Sequence, residues 1–336
     1  MPGKKITLAL IGAGGIGSVW VEAIKTIRSV SLVAVVDADL ARVQKIAKQF
    51  PACRVYRNVE SIVHDKTITM AIVATPHFLL APISFQLLAA GKHVLSEKPG
   101  AISLAELKKN STLAKRKKIH YAIGFNHRYH AAMQQAKKLV DAGAIGKLQF
   151  IRARYGFGGR KGYEKEWRFK KAISGGGELL DQGVHMIDLA RWFMGDFVDV
   201  KGFAEDLFWH GEVEDNGFLL LRTKQRQVAS IHVSWSNWNW IHSFEIFGTK
   251  GYCQIDGLDQ RYRGPERLTV GRCDEKLSKP PTEKVYVFKN ELKHTSFARE
   301  LVDFIHAIQK KSKPPINGSD GYKAMKIVQS IYNQKK

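Results

Sequence analysis

The stretch from Ile6 to Gly17, ITLALIGAGGIG, decides the fold of the first part of this chain. Its last six residues carry the spacing G-x-G-x-x-G at Gly12, Gly14 and Gly17. The apolar run before the glycines predicts a buried parallel strand. Apolar residues at helical spacing follow, namely Ile16, Val19, Trp20, Ala23, Ile24 and Ile27. A strand, a glycine turn and a helix in this order predict a dinucleotide site.

Each glycine of this loop has a physical role in such a site. Gly12 permits the tight turn, Gly14 lets the backbone approach a pyrophosphate, and Gly17 lets the helix pack closely on the strand. The phosphates then bind free N–H groups at the start of the helix. The residues predicted to bind the cofactor in this loop are Gly12, Ala13, Gly14, Gly15, Ile16 and Gly17.

An acidic residue ends the second predicted strand, Leu32 to Val36. This residue, Asp37, lies twenty positions after Gly17. Its carboxylate accepts hydrogen bonds from the ribose hydroxyls of NAD and repels the 2′-phosphate of NADP. We therefore expect NAD as the cofactor, with NADP as the alternative. A glycine-rich turn followed by an ordinary solvated aspartate is the structural alternative to a cofactor site.

Two more strand ends are predicted at the same edge of the sheet. Met70 to Ala74 is an apolar strand that runs into Thr75-Pro76-His77, and His93 to Ser96 runs into Glu97-Lys98-Pro99. Ligands of doubly wound sheets bind beyond the carboxyl ends of the strands. The further residues predicted to bind the cofactor are therefore Ala74, Thr75, Pro76, His77, Glu97 and Lys98.

Length and composition indicate a soluble protein of two domains. The chain has 336 residues, more than one core usually organises. Its apolar runs are shorter than the roughly 18 residues of a membrane span, so we expect no membrane partner. The three cysteines, Cys53, Cys253 and Cys273, form no C-x-x-C pair and indicate neither a disulfide framework nor a metal site. A cytoplasmic location is expected.

The formal charge of +22 attracts anions in general and does not select one class of partner. The densest basic run, Lys115 to Lys118, ends a predicted helix, where the helix dipole favours cations. We interpret this run as a solvated helix terminus. RNA-binding motifs with interleaved aromatic residues and helix-turn-helix signatures are missing from the sequence, so no nucleic acid is expected, and a basic nucleic-acid binder is a minor alternative.

After residue 122 the pattern changes from alternating strands and helices to mostly strands. A helix is predicted over Glu178 to Phe193, and strands dominate from Val198 to Phe288. The sequence thus predicts an α/β protein with a Rossmann dinucleotide-binding domain over 1–122. It predicts a C-terminal α+β domain over 123–336, built on a large, mostly antiparallel open sheet and used for substrate binding and oligomerisation.

Three tryptophans follow one strand of this sheet closely. Trp235, Trp238 and Trp240 predict an exposed aromatic patch, and such patches commonly mark oligomer interfaces. We expect a homodimer or a homotetramer that forms through the C-terminal sheet.

Three motifs together resemble the Gfo/Idh/MocA oxidoreductases. They are the glycine loop at Gly12 to Gly17, the strand end Glu97-Lys98-Pro99, and the pattern GGG-x-x-x-D-x-G-x-H-x-x-D from Gly175 to Asp188. The order and spacing are specific, and the similarity runs nearly end to end. The resemblance implies an NAD(P)-dependent dehydrogenase that transfers a hydride between a sugar, sugar-derivative or cyclitol hydroxyl and the nicotinamide.

The resemblance also implies the catalytic residues Lys98, Asp181 and His185. In the family this lysine contacts both the substrate hydroxyl and the nicotinamide. Residues at i and i+4 share a helix face, so Asp181 and His185 are expected to meet one substrate. Histidine is suited to accept the hydroxyl proton near neutral pH, while Lys98 stabilises the alkoxide and Asp181 fixes the substrate and the imidazole. A satisfied helix pair is the structural alternative.

The residues predicted to bind the substrate are Lys98, Asn126, Arg168, Asp181 and His185. Asn126 lies where the two predicted domains join, and Trp167-Arg168 resembles a family position that lines the pocket. Between Arg160 and Lys171, six basic residues against two acidic ones give a net charge of +4. This charge favours an anionic substrate such as a sugar phosphate, a nucleotide sugar or a uronic acid; a solvated loop is the alternative.

A non-catalytic regulator is the main alternative function, because some relatives keep the nucleotide fold as a binding module. The presence of Lys98, Asp181 and His185 favours the enzyme over the regulator.

Overall fold

A computed structural model describes residues 5–258, 262, 264–274, 276–289 and 294–335 of the chain. These residues form two compact units. The first lies within Met1–Asn126 and His294–Lys323, and the second within His127–Lys293 and Ala324–Lys336. The division near residue 126 is close to the predicted boundary at 122, but residues 294–323 join the first unit and not the second.

The first unit is a doubly wound α/β domain, as the sequence predicts. Its parallel sheet has the strand order β3-β2-β1-β4-β5-β6. The strands are β1 Ile6–Ile11, β2 Val30–Val36, β3 Arg54–Tyr56, β4 Met70–Val73, β5 His93–Glu97 and β6 Tyr121–Gly124. The helices between them are α1 Gly15–Lys25, α2 Leu40–Ala47, α3 Glu60–Val63, α4 His77–Ala89 and α5 Leu104–Lys117. The central strands β1 and β4 are apolar except for Thr7, because helices cover both faces of a parallel sheet.

Local capping signals fix the ends of α5. The Ser103 hydroxyl accepts a hydrogen bond from the Glu106 N–H over 3.4 Å and donates to the Glu106 carboxylate over 2.9 Å, as expected of the S-x-x-E pattern of a capping box. Lys118 ends the helix in a left-handed conformation with φ of 56°. Lys115, Arg116 and Lys117 lie in the last turn and are exposed, which agrees with a solvated helix terminus.

A helix from the end of the chain completes the first unit. This helix, α9 Thr295–Lys310, buries Leu301, Phe304 and Ile305 in the same apolar cluster as Trp20 of α1. The ring of Phe297 meets Trp20 edge to face with centroids 5.0 Å apart. The buried apolar stripe of α9 explains why the chain returns to its N-terminal unit.

The second unit is built on a large, mostly antiparallel sheet. Its strand order is β14-β13-β12-β11-β7-β10-β9-β8, and within it β7 and β10 pair in parallel. The strands are β7 Leu148–Gly156, β8 Phe197–Glu205, β9 Asn216–Thr223, β10 Val228–Ser234, β11 Ile241–Gly248, β12 Gly251–Asp256, β13 Glu266–Arg272 and β14 Thr282–Phe288. The α-helices of this unit are α6 Ala131–Asp141, α7 Lys171–Ser174 and α8 Val184–Met194, together with the part of α10 Gly318–Tyr332 that follows Lys323. The predicted fold class is thus confirmed.

The helix predicted over Glu178 to Phe193 consists of two parts. A π-helical turn spans Leu179–Gly183, and α8 continues from Val184 to Met194. Asp181 therefore lies in the π turn and His185 in the first turn of α8, so the two residues span the change from π to α geometry and do not belong to one uniform α-helix.

The predicted tryptophan patch is wrong at Trp235. Its side chain is 0% exposed, whereas Trp238 and Trp240 are 64% and 43% exposed. Trp235 continues the buried face of β10 and packs on Tyr163 and Phe169 with ring centroids 5.4 and 4.8 Å away. The strand alternation that buries Ala229, Ile231 and Val233 therefore buries this tryptophan too.

Among the described residues, none of the helices combines the length and the hydropathy that crossing a bilayer requires.

Candidate active site

The glycine loop of the first unit shows which of its glycines the fold requires. Gly12 has φ of +97°, and a Cβ there would lie 2.3 Å from the carbonyl oxygen of Ala74. A Cβ on Gly17 would lie 2.1 Å from the carbonyl oxygen of Gly12. These distances exclude any side chain, because real Cβ atoms do not approach other atoms so closely. Gly12 and Gly17 are therefore glycines for steric reasons within the protein itself.

Gly14 and Gly15 are different, because their missing side chains leave open space. A Cβ on Gly14 would meet only the tip of Arg42, at 3.9 Å, and a Cβ on Gly15 would have no neighbour within 4 Å. Gly14 is the N-cap of α1, and among the described residues no side chain caps this helix. The first N–H groups of α1, next to the exposed Ile16, are thus available to an anion.

Asp37 lies beside this loop and is held by two backbone groups. Its Oδ2 accepts a hydrogen bond from Ala13 N–H over 2.7 Å, and its Oδ1 accepts one from Asp39 N–H over 2.9 Å. A carboxylate oxygen accepts more than one hydrogen bond, so both oxygens retain capacity for ribose hydroxyls. Open backbone at Gly14 and a fixed acceptor at Asp37 fit the adenosine half of a dinucleotide.

A cation next to the loop is a feature that the sequence reasoning missed. Arg42 of α2 pairs with Asp39, its helix's N-cap residue, over 3.0 Å, and its guanidinium reaches the space beside Gly14. The sequence offers one indication of this role: Arg42 lies in the first turn of α2, five residues after Asp37. This cation bears on the choice between NAD and NADP, because arginine binds the 2′-phosphate in some related folds.

The ends of β4 and β5 lie side by side at the carboxyl edge of the sheet. Val73 of β4 pairs with Ser96 of β5. The next residues along the two strands, Ala74 and Glu97, therefore start from adjacent positions at this edge. The indole of Trp20 donates a hydrogen bond to Glu97 Oε1 over 2.8 Å. This contact orients the Glu97 carboxylate within the first unit. Thr75, Pro76 and His77 continue from β4 into α4, and Lys98 follows directly after β5.

Asn126 has a structural contact in the first unit. Its side-chain amide donates to the Ser296 hydroxyl over 3.1 Å, which ties the end of the sheet region to α9. The substrate-binding role predicted for Asn126 remains a prediction.

In the second unit, the consecutive glycines Gly175 to Gly177 position the turn that carries Asp181. A Cβ on Gly177 would lie 1.8 Å from the Glu214 carbonyl oxygen, and a Cβ on Gly176 would lie 2.2 Å from the Tyr332 hydroxyl. Gly175 has φ of 79° and ends α7. The glycines thus permit close packing of the protein on itself.

Glu214, which the sequence reasoning did not identify, anchors the same turn. Its Oε1 accepts hydrogen bonds from Gly177 N–H, from Leu179 N–H and from the Tyr332 hydroxyl, at 3.0, 3.3 and 2.6 Å. Burial raises the pKa of Glu214, although these three donors act in the opposite direction. The turn with Asp181 is therefore fixed at its start by a buried acidic side chain.

Two arginines of the predicted substrate loop form ion pairs within the unit. Arg168 Nε donates to Asp181 Oδ2 over 3.1 Å, and Arg160 pairs with both oxygens of Glu166 at 2.7 and 2.6 Å. The lysines of this loop, Lys161, Lys165, Lys170 and Lys171, are exposed. Two of the six basic side chains that favour an anionic substrate are therefore already paired with carboxylates of the protein.

His185, on α8, lies in a cluster of histidines. Its ring stacks on that of His127 with centroids 3.8 Å apart. His127 in turn meets His130, His242 and Tyr155 edge to face, at 5.5, 5.8 and 5.4 Å. His130 is only three residues from His127 in the chain, whereas Tyr155, His185 and His242 are brought to these two only by the fold.

The described residues contain no group of three or more His, Cys, Asp or Glu side chains arranged to hold a metal ion.

Comparison with protein families assigns two consecutive parts of the chain, which together make up more than half of it. Residues 6–125 match the model of an oxidoreductase family with an NAD-binding Rossmann fold, and residues 133–254 match the GFO/IDH/MocA C-terminal domain. These matches confirm the resemblance found in the three sequence motifs.

Several relatives extend over nearly the whole chain. The myo-inositol 2-dehydrogenase of Thermotoga maritima is 25% identical over 95% of this chain and 92% of its own length. The glucose-6-phosphate 3-dehydrogenase of Bacillus subtilis is 26% identical over 98% and 96%, respectively. The solved structure of levoglucosan dehydrogenase in complex with NADH and levoglucosan is 25% identical, with a TM-score of 0.87 over 98% of both chains.

Proposed function

Because the chain belongs to the Gfo/Idh/MocA family of NAD-binding oxidoreductases, we propose that it is a dehydrogenase of a sugar, sugar-derivative or cyclitol hydroxyl. Relatives of similar length are dehydrogenases of inositol and of glucose 6-phosphate, which supports this substrate class. The observation that carries the proposal is the glycine loop, where open backbone at Gly14 lies beside the fixed carboxylate of Asp37.

The proposed cofactor is NAD, not NADP. The support is the carboxylate of Asp37, which is hydrogen-bonded to Ala13 N–H and would face a 2′-phosphate with like charge. Arg42, beside Gly14, would attract the 2′-phosphate of NADP. The preference for NAD over NADP is therefore expected to be smaller than it would be without this cation. The bound nicotinamide supplies the hydride acceptor for alcohol oxidation.

The proposed catalytic residues are Lys98, Asp181 and His185. His185 accepts the hydroxyl proton, because imidazole is the side chain best suited to this near neutral pH. Lys98 stabilises the negative charge that develops on the substrate oxygen. Asp181 fixes the substrate, and its carboxylate is itself oriented by Arg168.

The charge of the substrate is a separate question. The exposed lysines of the loop between Arg160 and Lys171 support an anionic group on the sugar, whereas the internal pairs of Arg160 and Arg168 support a solvated loop. The salt dependence of KM distinguishes the two: a phosphate or carboxylate held by lysines predicts a KM that rises steeply with salt, because charges are screened within about 10 Å at 0.1 M.

We infer that the protein forms a homodimer or homotetramer through the sheet of the second unit. The outer strands of this sheet expose Val198, Phe203 and Leu220 by 68%, 68% and 57%. A monomer rarely leaves such an apolar face in water. Light scattering after size exclusion tests the inference, and Phe203→Glu with Leu220→Lys is expected to produce monomers.

The activity is tested by incubating the purified protein with NAD and a panel of sugars, sugar phosphates, uronic acids and cyclitols while absorbance at 340 nm is followed. We expect NADH formation with at least one of them. Binding of NADH without turnover of any member would instead favour the non-catalytic regulator.

The proposed location of the protein is the cytoplasm. The free thiols of Cys53, Cys253 and Cys273 agree with a reducing compartment.

A further inference from the structure

Two histidine rings lie face to face in the second unit. The ring centroids of His127 and His185 are 3.8 Å apart and the ring planes differ by 11°. Both residues are buried, with 5% and 4% of their surface exposed. At this separation the flat faces are in van der Waals contact, so one ring cannot tilt without moving the other.

The segments that carry these rings are joined a second time. Arg128, the neighbour of His127, donates from Nε and Nη2 to the two carboxylate oxygens of Asp188, at 2.7 and 2.5 Å. Asp188 lies on α8, three residues after His185. A buried bidentate pair fixes orientation as well as distance. The stack is therefore set by two contacts between the same segments, not by the chance rotamer of one side chain.

We propose that His127 is a positioning residue for His185: it holds the plane of the imidazole, and only one of the two stacked rings is protonated at a time. The proposal rests on the proposed function only for the role of His185 as the base. With one ring protonated, the flat face of the neutral ring lies against the imidazolium. A second proton would place two like charges within contact distance, which strongly disfavours it.

The groups around the stack do not supply this proton themselves. Burial lowers the pKa of His242 to about 3, so His242 is neutral at physiological pH. Burial raises the pKa of Tyr155 well above its ordinary value, so Tyr155 is neutral too. Both side chains thus keep a constant charge while the stack titrates.

The remaining titratable neighbours have polar partners. His130 Nδ1 lies 2.5 Å from Glu266 Oε1; burial raises the pKa of Glu266, but the contact with His130 and the hydrogen bond from Ala132 N–H lower it by more, so the pKa is lowered overall. Asp181, in the turn before His185, pairs with Arg168. Among the described residues of this unit, the titratable and charged groups around the stack include Arg128, His130, Tyr155, Arg168, Glu178, Asp181, Asp188, His242, Tyr262 and Glu266.

The single protonation of the stack has a direct consequence for alcohol oxidation. When both rings are neutral, His185 accepts the proton of the substrate hydroxyl, and the neutral ring of His127 keeps the new imidazolium in its plane. At lower pH the pair already holds its proton, and the base is lost. Two macroscopic ionisations then belong to the pair and not to either ring alone.

The test is a pH titration followed by NMR of the full-length protein labelled at histidine Cε1, with the His185 signal assigned through His185→Gln. In the wild type we expect this signal to shift in two steps. His127→Phe keeps a flat ring that cannot bind a proton, so the His185 signal is expected to shift in one step. His232→Phe is the matched control, because His232 stacks on Phe218 and contacts none of the cluster rings, and two steps should remain.

Kinetics supply the second readout. His127→Phe is expected to keep kcat within about threefold at its optimum and to change the shape of the pH profile of kcat. His127→Gln, which has no flat ring, is expected to lower kcat by about 10- to 100-fold, as misplacement of a reacting group does. Near-UV circular dichroism establishes that each variant is folded.

A His185 signal that shifts in one step, with the same midpoint in the wild type and in His127→Phe, overturns the proposal whatever the activity is. Two steps that collapse to one in His127→Phe support it. If the two steps become one in His127→Phe while His185→Gln keeps near-normal kcat, the coupled protonation of the two rings is supported and the role of His185 as the base is refuted.

Discussion

Arg168 donates a hydrogen bond from Nε to Oδ2 of Asp181 over 3.1 Å, and this ion pair joins the basic loop to the π turn that precedes α8. The Asp181 side chain is 4% exposed, whereas that of Arg168 is 30% exposed. The same guanidinium lies 3.6 Å from Glu166, which in turn binds Arg160. The orientation of a proposed catalytic carboxylate thus depends on a loop residue.

Arg168→Ala is expected to lower kcat by about 10- to 100-fold, because the Asp181 carboxylate loses the contact that orients it. Arg160→Ala removes a cation of the same loop whose partner is Glu166, in an exposed pair worth at most about 1 kcal/mol, and is the matched control. Steady-state kinetics at fixed ionic strength check both variants. Equal losses in the two would assign the effect to loop charge.

Gly14→Ala is expected to weaken cofactor binding, whereas Gly17→Ala is expected to lower the stability of the fold. A Cβ at Gly14 meets little of the protein but occupies the space proposed for the pyrophosphate, so the Kd for NADH should rise at least about tenfold, or about 1.4 kcal/mol. A Cβ at Gly17 would press on the Gly12 carbonyl and should cost about 1–3 kcal/mol of unfolding free energy. Calorimetric titration and thermal unfolding measure the two effects. A Gly14→Ala variant with unchanged Kd would contradict the cofactor site.

Asp37→Ser is expected to reduce the preference for NADH over NADPH by about tenfold or more, since like charges 4 Å apart repel by about 1–4 kcal/mol. Asp37→Asn removes the charge but keeps an acceptor for Ala13 N–H, so it should retain more NADH affinity than the serine variant. Fluorescence titration with both cofactors gives the ratios. A wild-type protein that binds NADPH more tightly than NADH would refute the assignment of Asp37.

Lys98→Ala is expected to lower kcat by about 10²–10³-fold while the Kd for NADH stays nearly constant, because the proposed contact of Lys98 is with the charge that develops on the reacting oxygen. Lys115→Ala, at an exposed position in the last turn of α5, controls for the loss of one positive charge. Single-turnover kinetics and NADH titration separate chemistry from binding. Normal turnover by Lys98→Ala would exclude this lysine from the reaction.

His242 predicts a pH dependence of stability. Its pKa is lowered by burial from 6.5 to about 3, so between these values the unfolded chain binds a proton that the folded protein does not. The unfolding free energy should therefore fall as the pH falls from 6.5 towards 3. His242→Asn should make this slope shallower by up to about 1.4 kcal/mol per pH unit. Urea unfolding at several pH values measures the slope, and identical slopes would place His242 in contact with water.

The sequence by itself determined the fold class of both units, and it also predicted the adenosine half of the proposed cofactor site. Apolar runs, glycine spacing and the acidic end of β2 are local signals, because the residues that form each strand, turn and helix are neighbours in the chain. The capping box at Ser103 and Glu106 belongs to the same class. Spacing and order of three short motifs were enough to identify the family.

Only the tertiary structure decided which distant side chains meet. Four features join residues that are far apart in the chain. They are the return of α9 to the first unit, the burial of Trp235, the anchoring of the Asp181 turn by Glu214, and the stack of His127 on His185. Periodicity assigns a residue to a face of its own helix or strand but carries no information about what covers that face. The packing of elements across the fold therefore set the charge pairs and ring contacts around His185.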